Sequence, residues 1–180
     1  MRIVAGQWRG RLITAPKGNS VRPTGDRVRE AWMNIVQPLL PGARVGDFFA
    51  GSGALGLEAL SRGATSAVFI ENADASLDAL TFNIQKLGAG TAATVRRADA
   101  LAVAAERNQE PFDVAFADPP YRKGLATQLA TSWLRAPFAR VLGIEHDPRE
   151  VLPGHPETRR YGSTALSFYR MNDARTPEPT

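Results

Sequence analysis

The chain has 180 residues, enough for one domain with a sizeable core, and it carries a formal net charge of +4. Its 43% hydrophobic and 22% charged residues are ordinary for a soluble globular protein, and no apolar run approaches the length of a membrane span. The absence of cysteine excludes disulfides, thiolate zinc sites and cysteine nucleophiles, and His146 and His155 are the only histidines. We therefore expect a cytoplasmic protein without a metal and without a membrane partner.

The basic residues are concentrated at the amino terminus. Residues 1–30 carry seven basic and two acidic side chains, a net charge of +5, so the rest of the chain is close to neutral. This placement is typical of an element that binds a polyanion, although a solvated face with ordinary ion pairs is the simpler alternative. An aromatic residue among the arginines favours nucleic acid, because single strands are held by cations and stacking surfaces. The candidate contacts are Trp8, Arg9, Arg11, Arg22, Arg27 and Arg29.

The predicted elements begin with a hairpin and a helix. Residues 2–6 and 11–14 have the pattern of two short strands joined through glycines. A helix capped by Thr24 or Asp26 then runs to about Val36, with apolar side chains at three- and four-residue spacing.

Arg27 and Arg29 are two positions apart on this predicted helix. Side chains with that spacing cannot share a helix face, so only one of them is expected to face nucleic acid. The other is expected to pair with Glu30 or with carboxylates at the sheet edge.

Strands and helices alternate from residue 45 onward. The expected strands are 45–49, 67–70, 93–96, 113–117 and 140–144, and the expected helices between them are 54–62, 74–86, 101–107 and 125–134. Such alternation predicts an α/β fold, a parallel sheet with helices on both faces. Residues 158–161 and 165–171 predict a closing hairpin, so the sheet should finish antiparallel. We expect three segments, which are a basic arm (1–40), an α/β body (41–171) and a disordered tail (172–180).

The stretch Asp118-Pro119-Pro120-Tyr121 directly follows the expected strand 113–117, at the edge where open α/β sheets bind ligands. Two prolines make this turn stiff, because each fixes its own φ and the second also restricts the first. Such a turn can hold the Asp118 carboxylate and the Pro119 carbonyl toward one point. Two acceptors there suit the amino group of a planar base, on which Tyr121 could stack. A structural turn with a capping Asp and a half-buried Tyr is the alternative, and the motif alone does not choose.

A glycine-rich loop joins the first sheet strand to the next helix. Its glycines match the dinucleotide-binding fingerprint, and Glu71 ends the following strand about 20 residues on, where a ribose-binding acid belongs. Glycines let the backbone approach a ligand, and an acid at a strand tip can accept hydrogen bonds from both ribose hydroxyls. A turn that needs glycine only for packing is the alternative, but the strand–loop–helix context favours nucleotide-like binding. The candidate cofactor contacts are Asp47, Ala50, Gly51, Ser52, Gly53, Gly56, Glu71 and Asp99.

The glycines alone do not identify the nucleotide, because an NAD-dependent dehydrogenase would use them in the same way. Two features favour S-adenosylmethionine. Asp47 would repel a pyrophosphate but could take part in binding a cationic methionine end, and the turn at Asp118 offers an amine site and no hydride acceptor site. Asp99, just past the third strand, is placed either to accept from the adenine amino group or to cap the following helix.

These sequence blocks together resemble the bacterial 16S ribosomal RNA guanine-N2 methyltransferase family (RsmD-like), among the class I S-adenosylmethionine-dependent methyltransferases. The resemblance covers nearly the whole chain and is carried by residues 2–11, 22–30, 49–63 and 118–121. It implies a Rossmann-like seven-stranded methyltransferase sheet, S-adenosylmethionine as the cofactor, and an amino-terminal arm that contacts RNA. The implied partner is 16S ribosomal RNA or a 30S assembly intermediate, and we expect a monomer.

The resemblance also implies how the turn at residues 118–121 works. Asp118 and the Pro119 carbonyl would accept the N–H bonds of a guanine amine, with Tyr121 stacked on a base that is splayed or flipped out. An adenine-N6 nucleic-acid methyltransferase could use the same turn, although the chain is short for a separate base-reading domain. A protein-glutamine methyltransferase would prefer Asn at position 118. A non-catalytic RNA-binding ribosome-assembly factor is the alternative from another class, and the intact glycine and acid set speaks against it.

Overall fold

A computed structural model describes residues 1–16, 26–106, 110–121 and 123–171 of the chain. At its centre is a seven-stranded sheet in the order β3-β2-β1-β4-β5-β7-β6. The strands are β1 (Arg44–Phe48), β2 (Ser66–Glu71), β3 (Ala93–Arg97), β4 (Phe112–Ala117), β5 (Ala139–His146), β6 (Glu157–Tyr161) and β7 (Thr164–Arg170). Strands β1 to β5 pair in parallel, whereas β7 is antiparallel to both β5 and β6. The predicted fold class, a mostly parallel Rossmann-like sheet that ends in an antiparallel hairpin, is confirmed.

Five α-helices flank the sheet in the described ranges. They are α1 (Asp26–Val36), α2 (Ala54–Ser61), α3 (Asp74–Leu87), α4 (Ala100–Ala104) and α5 (Leu125–Arg135). The ends of α3 follow from its sequence. Asp74 places a negative charge in the first turn, and Gly88 takes the left-handed conformation that closes the helix, with φ +71°.

Two predicted elements are shorter in the structure. The helix expected at 101–107 ends at Ala104, and the side chain of Glu106 beyond it pairs with Arg96 of β3. The two amino-terminal strands reduce to a single bridge between Arg2 and Leu12. Other backbone N–H groups of this segment donate to side chains of α2, so they are not available for strand pairing.

Some predictions fall outside the described residues. They are the candidate RNA contact at Arg22, the helix cap at Thr24, the end of the helix at Arg107 and the tail at residues 172–180.

The sheet separates two hydrophobic cores, because side chains alternate between its faces. The first core lies under α1, α2, α3 and residues 1–16, which we call the amino-terminal hairpin. The second core lies under α4 and α5 on the opposite face. Trp32 of α1 packs edge-on against Phe116 and Phe168 in the first core, and Trp133 of α5 packs against Tyr169 in the second.

The chain order of the strands reverses at β1, which lies between β2 and β4. The carboxyl ends of β1 and β4 are therefore the topological switch point, the place where α/β sheets bind ligands. Within the described ranges, no helix has the length and apolar content needed to cross a membrane. The same residues contain no group of three or more acidic or histidine side chains able to hold a metal ion.

Candidate active site

Three carboxylates lie at one level along the carboxyl edge of the sheet. The aligned residues just before them are Phe48, Ile70, Ala117 and Ile144. The residue that follows is Glu71 at the end of β2, Asp118 just past the end of β4, and Glu145 in β5. Neighbouring strands are about 4.8 Å apart, so the backbone positions of Glu71 in β2 and Glu145 in β5 lie about 14 Å apart along this edge, with Asp118 between them.

Asp47 belongs to the same cluster and is only 2% exposed. Its Oδ2 accepts a hydrogen bond of 2.9 Å from the backbone N–H of Gly56. Burial raises the pKa of Asp47 well above its usual range, the Gly56 hydrogen bond lowers it, and the charges of Asp118 and Glu71 raise it further. The charges of Asp118 and Glu71 thus act against ionisation of Asp47, and a cationic ligand at this site would favour the ionised form.

The glycine loop between β1 and α2 packs closely against the first core. A Cβ on Gly56 would lie 2.4 Å from Phe69 Cε1 and 3.1 Å from Asp47 Oδ2, so the first turn of α2 lies directly against the base of the site. Gly53 has φ +79°, a conformation that favours glycine. Phe49 before the loop has φ +60°, and such strain in a non-glycine residue is concentrated at functional sites.

Glu71 connects the end of β2 to the glycine loop. Its Oε2 accepts from the N–H of Gly51 at 2.8 Å, and its Oε1 accepts from the N–H groups of Asn72 and Ala73 at 2.8 Å each. The carboxylate is half-buried, at the position that the sequence predicts for a ribose-binding acid. That role stays a prediction, and the structure adds that Glu71 also fixes the loop.

The turn after β4 is fixed through the hydroxyl of Tyr121. This hydroxyl donates to Glu145 Oε1 at 2.9 Å and lies 3.0 Å from the hydroxyl of Thr164 at the start of β7. Burial raises the pKa of Tyr121 above its usual value, so the phenol stays protonated and keeps donating at neutral pH. Pro119 is buried and Asp118 is half-buried beside it. The turn is therefore held near its start by the buried Pro119 and at its end by the hydrogen bonds of Tyr121.

Asp99 caps α4. Its Oδ1 accepts from the backbone N–H of Ala102 at 2.9 Å, which confirms the capping interpretation. The second interpretation, in which Asp99 accepts from an adenine amino group, stays a prediction for the other carboxylate oxygen.

One candidate RNA contact requires correction. Arg29 is 2% exposed, and its guanidinium donates to the backbone carbonyl of Arg2 at 2.8 Å. We therefore withdraw Arg29 as a phosphate contact, because a buried guanidinium that supports the amino-terminal hairpin does not face a polyanion. Arg27 on the same helix is exposed, as expected if only one of the pair faces outward.

The remaining hairpin candidates are on the surface. Arg9 and Arg11 are exposed, and the guanidinium of Arg11 donates to the Lys86 carbonyl at the end of α3. Trp8 is half-buried against the first core, so only part of its ring surface is open for stacking.

Two residues that the structure connects to the site were not predicted from the sequence. Glu145 accepts from Tyr121, and Asn83 donates to the Ser52 carbonyl of the glycine loop. Glu145 could have been found, because it lies near the carboxyl end of a parallel strand, as Asp118 does. Asn83 also carried a signal, since it is a polar residue in the apolar stripe of α3 that contains Leu80, Ile84 and Leu87.

Comparison with known proteins identifies the family. The family described as Conserved hypothetical protein 95 matches residues 1–170. The chain belongs to this family. Two curated proteins named ribosomal RNA small subunit methyltransferase D are similar to it, and the RsmD-like resemblance drawn from the sequence is thereby confirmed.

The relative from Escherichia coli (strain K12) is 46% identical over 125 residues, which are 69% of this chain and 62% of that protein. The relative from Haemophilus influenzae is 33% identical over 178 residues, which are 95% of this chain and 92% of that protein. Among solved structures, a hypothetical protein from Thermus thermophilus has a TM-score of 0.82 at 33% identity, covering 95% of this chain and 99% of its own. The match to the first relative thus spans less than two thirds of its length, whereas the fold is shared end to end with the solved structure.

Proposed function

We propose that this protein transfers a methyl group from S-adenosylmethionine to the exocyclic N2 amine of a guanosine in 16S ribosomal RNA, in the cytoplasm. The observation that carries the proposal is the position of Asp118. It follows β4 in a stiff turn, level with Glu71 and two residues beyond Phe116, the β4 partner of the buried Asp47. An acceptor for an amine thus lies beside a loop suited to a nucleotide-like ligand, and the names of the curated relatives support methylation of small-subunit ribosomal RNA.

The residues present fit S-adenosylmethionine. Burial, and to a smaller extent the charges of Asp118 and Glu71, disfavours the ionised form of Asp47, so a cationic methionine end would stabilise that carboxylate. In this proposal Glu71 binds the ribose hydroxyls and Asp99 binds the adenine amino group. Ala50, Gly51, Ser52 and Gly53 supply the backbone that approaches the ligand. When bound, the cofactor supplies an electrophilic methyl group on a sulfonium.

The chain itself contributes orientation at the amine. Asp118 and the Pro119 carbonyl accept the two N–H bonds of the guanine amine, which aims its lone pair, otherwise delocalised into the base, toward the glycine loop. Positioning of this kind supplies a large part of the acceleration when the electrophile is already reactive. Asp118 is also the nearest group of the turn to take the proton that the amine loses after transfer.

Tyr121 holds the base. Its hydroxyl bonds with Glu145 and Thr164 leave the ring fixed at one end, and a fixed ring is a better stacking surface than a mobile one. The target base has to leave its helix to reach this ring, since the exocyclic amine is inaccessible in a stacked duplex.

Residues 1–40 act as the RNA-binding arm in this proposal, with Trp8, Arg9, Arg11 and Arg27 as contacts. Exposed arginines around a half-buried tryptophan give the cation and stacking combination that suits single-stranded RNA. Neutralising Arg9 and Arg11 together is expected to weaken RNA binding and to flatten its dependence on salt.

The proposal is tested by incubating the wild-type protein with isotopically labelled S-adenosylmethionine and either naked 16S ribosomal RNA or a 30S assembly intermediate. Nucleosides from the digested RNA are then analysed by mass spectrometry. Labelled N2-methylguanosine is the expected product, whereas labelled N6-methyladenosine would show that the turn serves the other amine. A protein that binds RNA and transfers no label to either substrate would be an assembly factor, and the proposed function would be wrong.

A further inference from the structure

The amino-terminal hairpin is joined to α2 by a buried carboxylate. Glu58 is 0% exposed and accepts from the backbone N–H groups of Val4 at 2.8 Å and Ala5 at 3.0 Å. Its Oε1 also accepts from the guanidinium of Arg62 at 2.8 Å, so the charge is paired. The helix that starts at the glycine loop therefore carries the first half of the hairpin.

Ser61, one turn further along α2, adds more links. Its hydroxyl donates to the Ala5 carbonyl at 2.6 Å and accepts from the Trp8 N–H at 3.0 Å, while its carbonyl accepts from the Gln7 N–H at 2.8 Å. Hydrogen bonds thus connect the turn that contains Trp8 to a helix of the cofactor site.

Asn83 links the other half of the hairpin directly to the glycine loop. It is 0% exposed, and its amide group donates to the carbonyls of Thr14 at 2.9 Å and Ser52 at 3.0 Å. Its Oδ1 accepts from the Thr14 N–H at 2.8 Å. One side chain therefore bridges the hairpin and the loop, with both amide hydrogens and its oxygen in use.

A buried amide inside a helix is costly unless its hydrogen bonds are satisfied, so the orientation of Asn83 depends on both of its partners. If either Thr14 or Ser52 moves, Asn83 loses a partner and the remaining contact weakens. The hairpin and the glycine loop therefore both influence the orientation of the Asn83 side chain.

We propose that Asn83 is a positioning residue that couples cofactor binding to RNA binding. A ligand that orders the glycine loop fixes the Ser52 carbonyl, which favours the Asn83 orientation that holds Thr14 and the hairpin with Arg9 and Arg11. Bound cofactor thereby raises the affinity for RNA. By thermodynamic linkage, RNA bound to the hairpin raises the affinity for the cofactor by the same factor. The inference rests on the proposed function in one respect, that the hairpin contacts RNA and the loop contacts S-adenosylmethionine.

The matched variants are Thr14→Pro and Thr14→Ala. Both changes remove the exposed threonine side chain, but proline also removes the N–H that donates to Asn83 and restricts the backbone at residues 13 and 14, whereas alanine keeps both backbone bonds to Asn83. Calorimetry gives the affinity for S-adenosylmethionine with and without a saturating 16S ribosomal RNA fragment. For the wild type and for Thr14→Ala we expect RNA to raise cofactor affinity about five-fold or more, and for Thr14→Pro we expect a factor near one. Equal factors in the two variants, or no effect of RNA in the wild type, would overturn the inference.

A second measurement uses the wild type alone and does not depend on how the variants fold. Hydrogen exchange in a peptide that spans residues 12–16 reports the Thr14 amide, which is bonded to Asn83. We expect S-adenosylmethionine without RNA to slow exchange in this peptide. An unchanged exchange rate at saturating cofactor would mean that the loop does not transmit to the hairpin.

Failure of the coupling is distinguishable from failure of the proposed function. A wild type that methylates RNA but shows no coupling and no protection at residues 12–16 retains its function without the Asn83 link. A wild type that binds neither S-adenosylmethionine nor RNA would instead contradict the function itself.

Discussion

The two faces of the same sheet end very differently at its carboxyl edge. On the face covered by α1, α2 and α3, the apolar residues of the first core are followed at the carboxyl ends of the strands by the acids Asp47, Glu71 and Glu145. Asp118 follows the end of β4 on the same face. On the opposite face, under α4 and α5, the corresponding positions remain apolar and buried. They include Phe48, Ile70, Ala117 and Ile144.

This contrast follows from the alternation of side chains along a strand, which places the candidate site residues on one face and core residues on the other. At the ends of β1, β2, β4 and β5, one side chain belongs to the acidic edge and its immediate neighbour to the second core, so a single residue step changes the role. The acidic face keeps a buried carboxylate whose pKa is raised by its surroundings, an arrangement that is concentrated at functional sites. Substitutions on the two faces should therefore affect different measurements.

The largest expected effect is at Asp118 on the acidic edge. Asp118→Ala removes the acceptor that orients the amine, so kcat should fall by at least about 100-fold, while cofactor affinity measured by calorimetry stays near the wild-type value. Asp118→Asn is the matched control, because it keeps one acceptor oxygen and should retain more turnover than alanine. Turnover of Asp118→Ala within a few-fold of wild type would mean that Asp118 has been misassigned.

A smaller effect is expected at Gly56. In Gly56→Ala the new Cβ meets Phe69 and Asp47, which should lower the free energy of unfolding by about 1–3 kcal/mol and weaken cofactor binding about ten-fold. Gly90→Ala is the control, because nothing lies within 4 Å of a Cβ there. Denaturant melts and calorimetry measure the two effects, and unchanged cofactor affinity would separate this glycine from the site.

The opposite face should respond in stability alone. Trp133 of α5 is fully buried and its Nε1 donates to the Ala139 carbonyl at 2.8 Å. Trp133→Phe removes this bond and part of the ring volume, which should cost about 1–2 kcal/mol of unfolding free energy with kcat unchanged below the melting transition. If kcat fell as much as in the Asp118 variants, the separation of the two faces would not hold.

The smallest expected effect is a pH trend at Asp47. Its folded pKa is raised above its unfolded value, so the folded protein holds a proton that the unfolded chain releases. The free energy of unfolding of the wild type should therefore fall as pH rises from about 4 through the folded pKa. Asp47→Asn has no carboxyl group to titrate at this position, so urea unfolding should show the variant gaining stability relative to wild type with rising pH.

Asp78→Asn serves as the control for loss of one carboxylate, because Asp78 is exposed on α3. A difference between wild type and Asp47→Asn that stays constant with pH would show that Asp47 does not titrate in this range.

Much of the fold was accessible to local sequence patterns. The alternation of strands and helices, the glycine loop after β1 and the placement of Asp118 just past β4 follow from periodicity and turn chemistry over short windows. The burial of Arg29 was not accessible in the same way, because its partner is a backbone carbonyl 27 positions away that only tertiary packing brings near. The end of α4 at Ala104 was missed for a similar reason, since Glu106 pairs across to β3.

By itself the sequence determined which residue types follow each strand and where the chain must turn, because those features depend on neighbours a few positions away. Only the tertiary structure decided which acids share a level, how Tyr121 is fixed by Glu145 and Thr164, and that Asn83 joins Thr14 to Ser52. The physical reason is that strand register and helix packing are set by contacts between residues far apart in the chain. A one-residue change of register would place each of these acids on the opposite face.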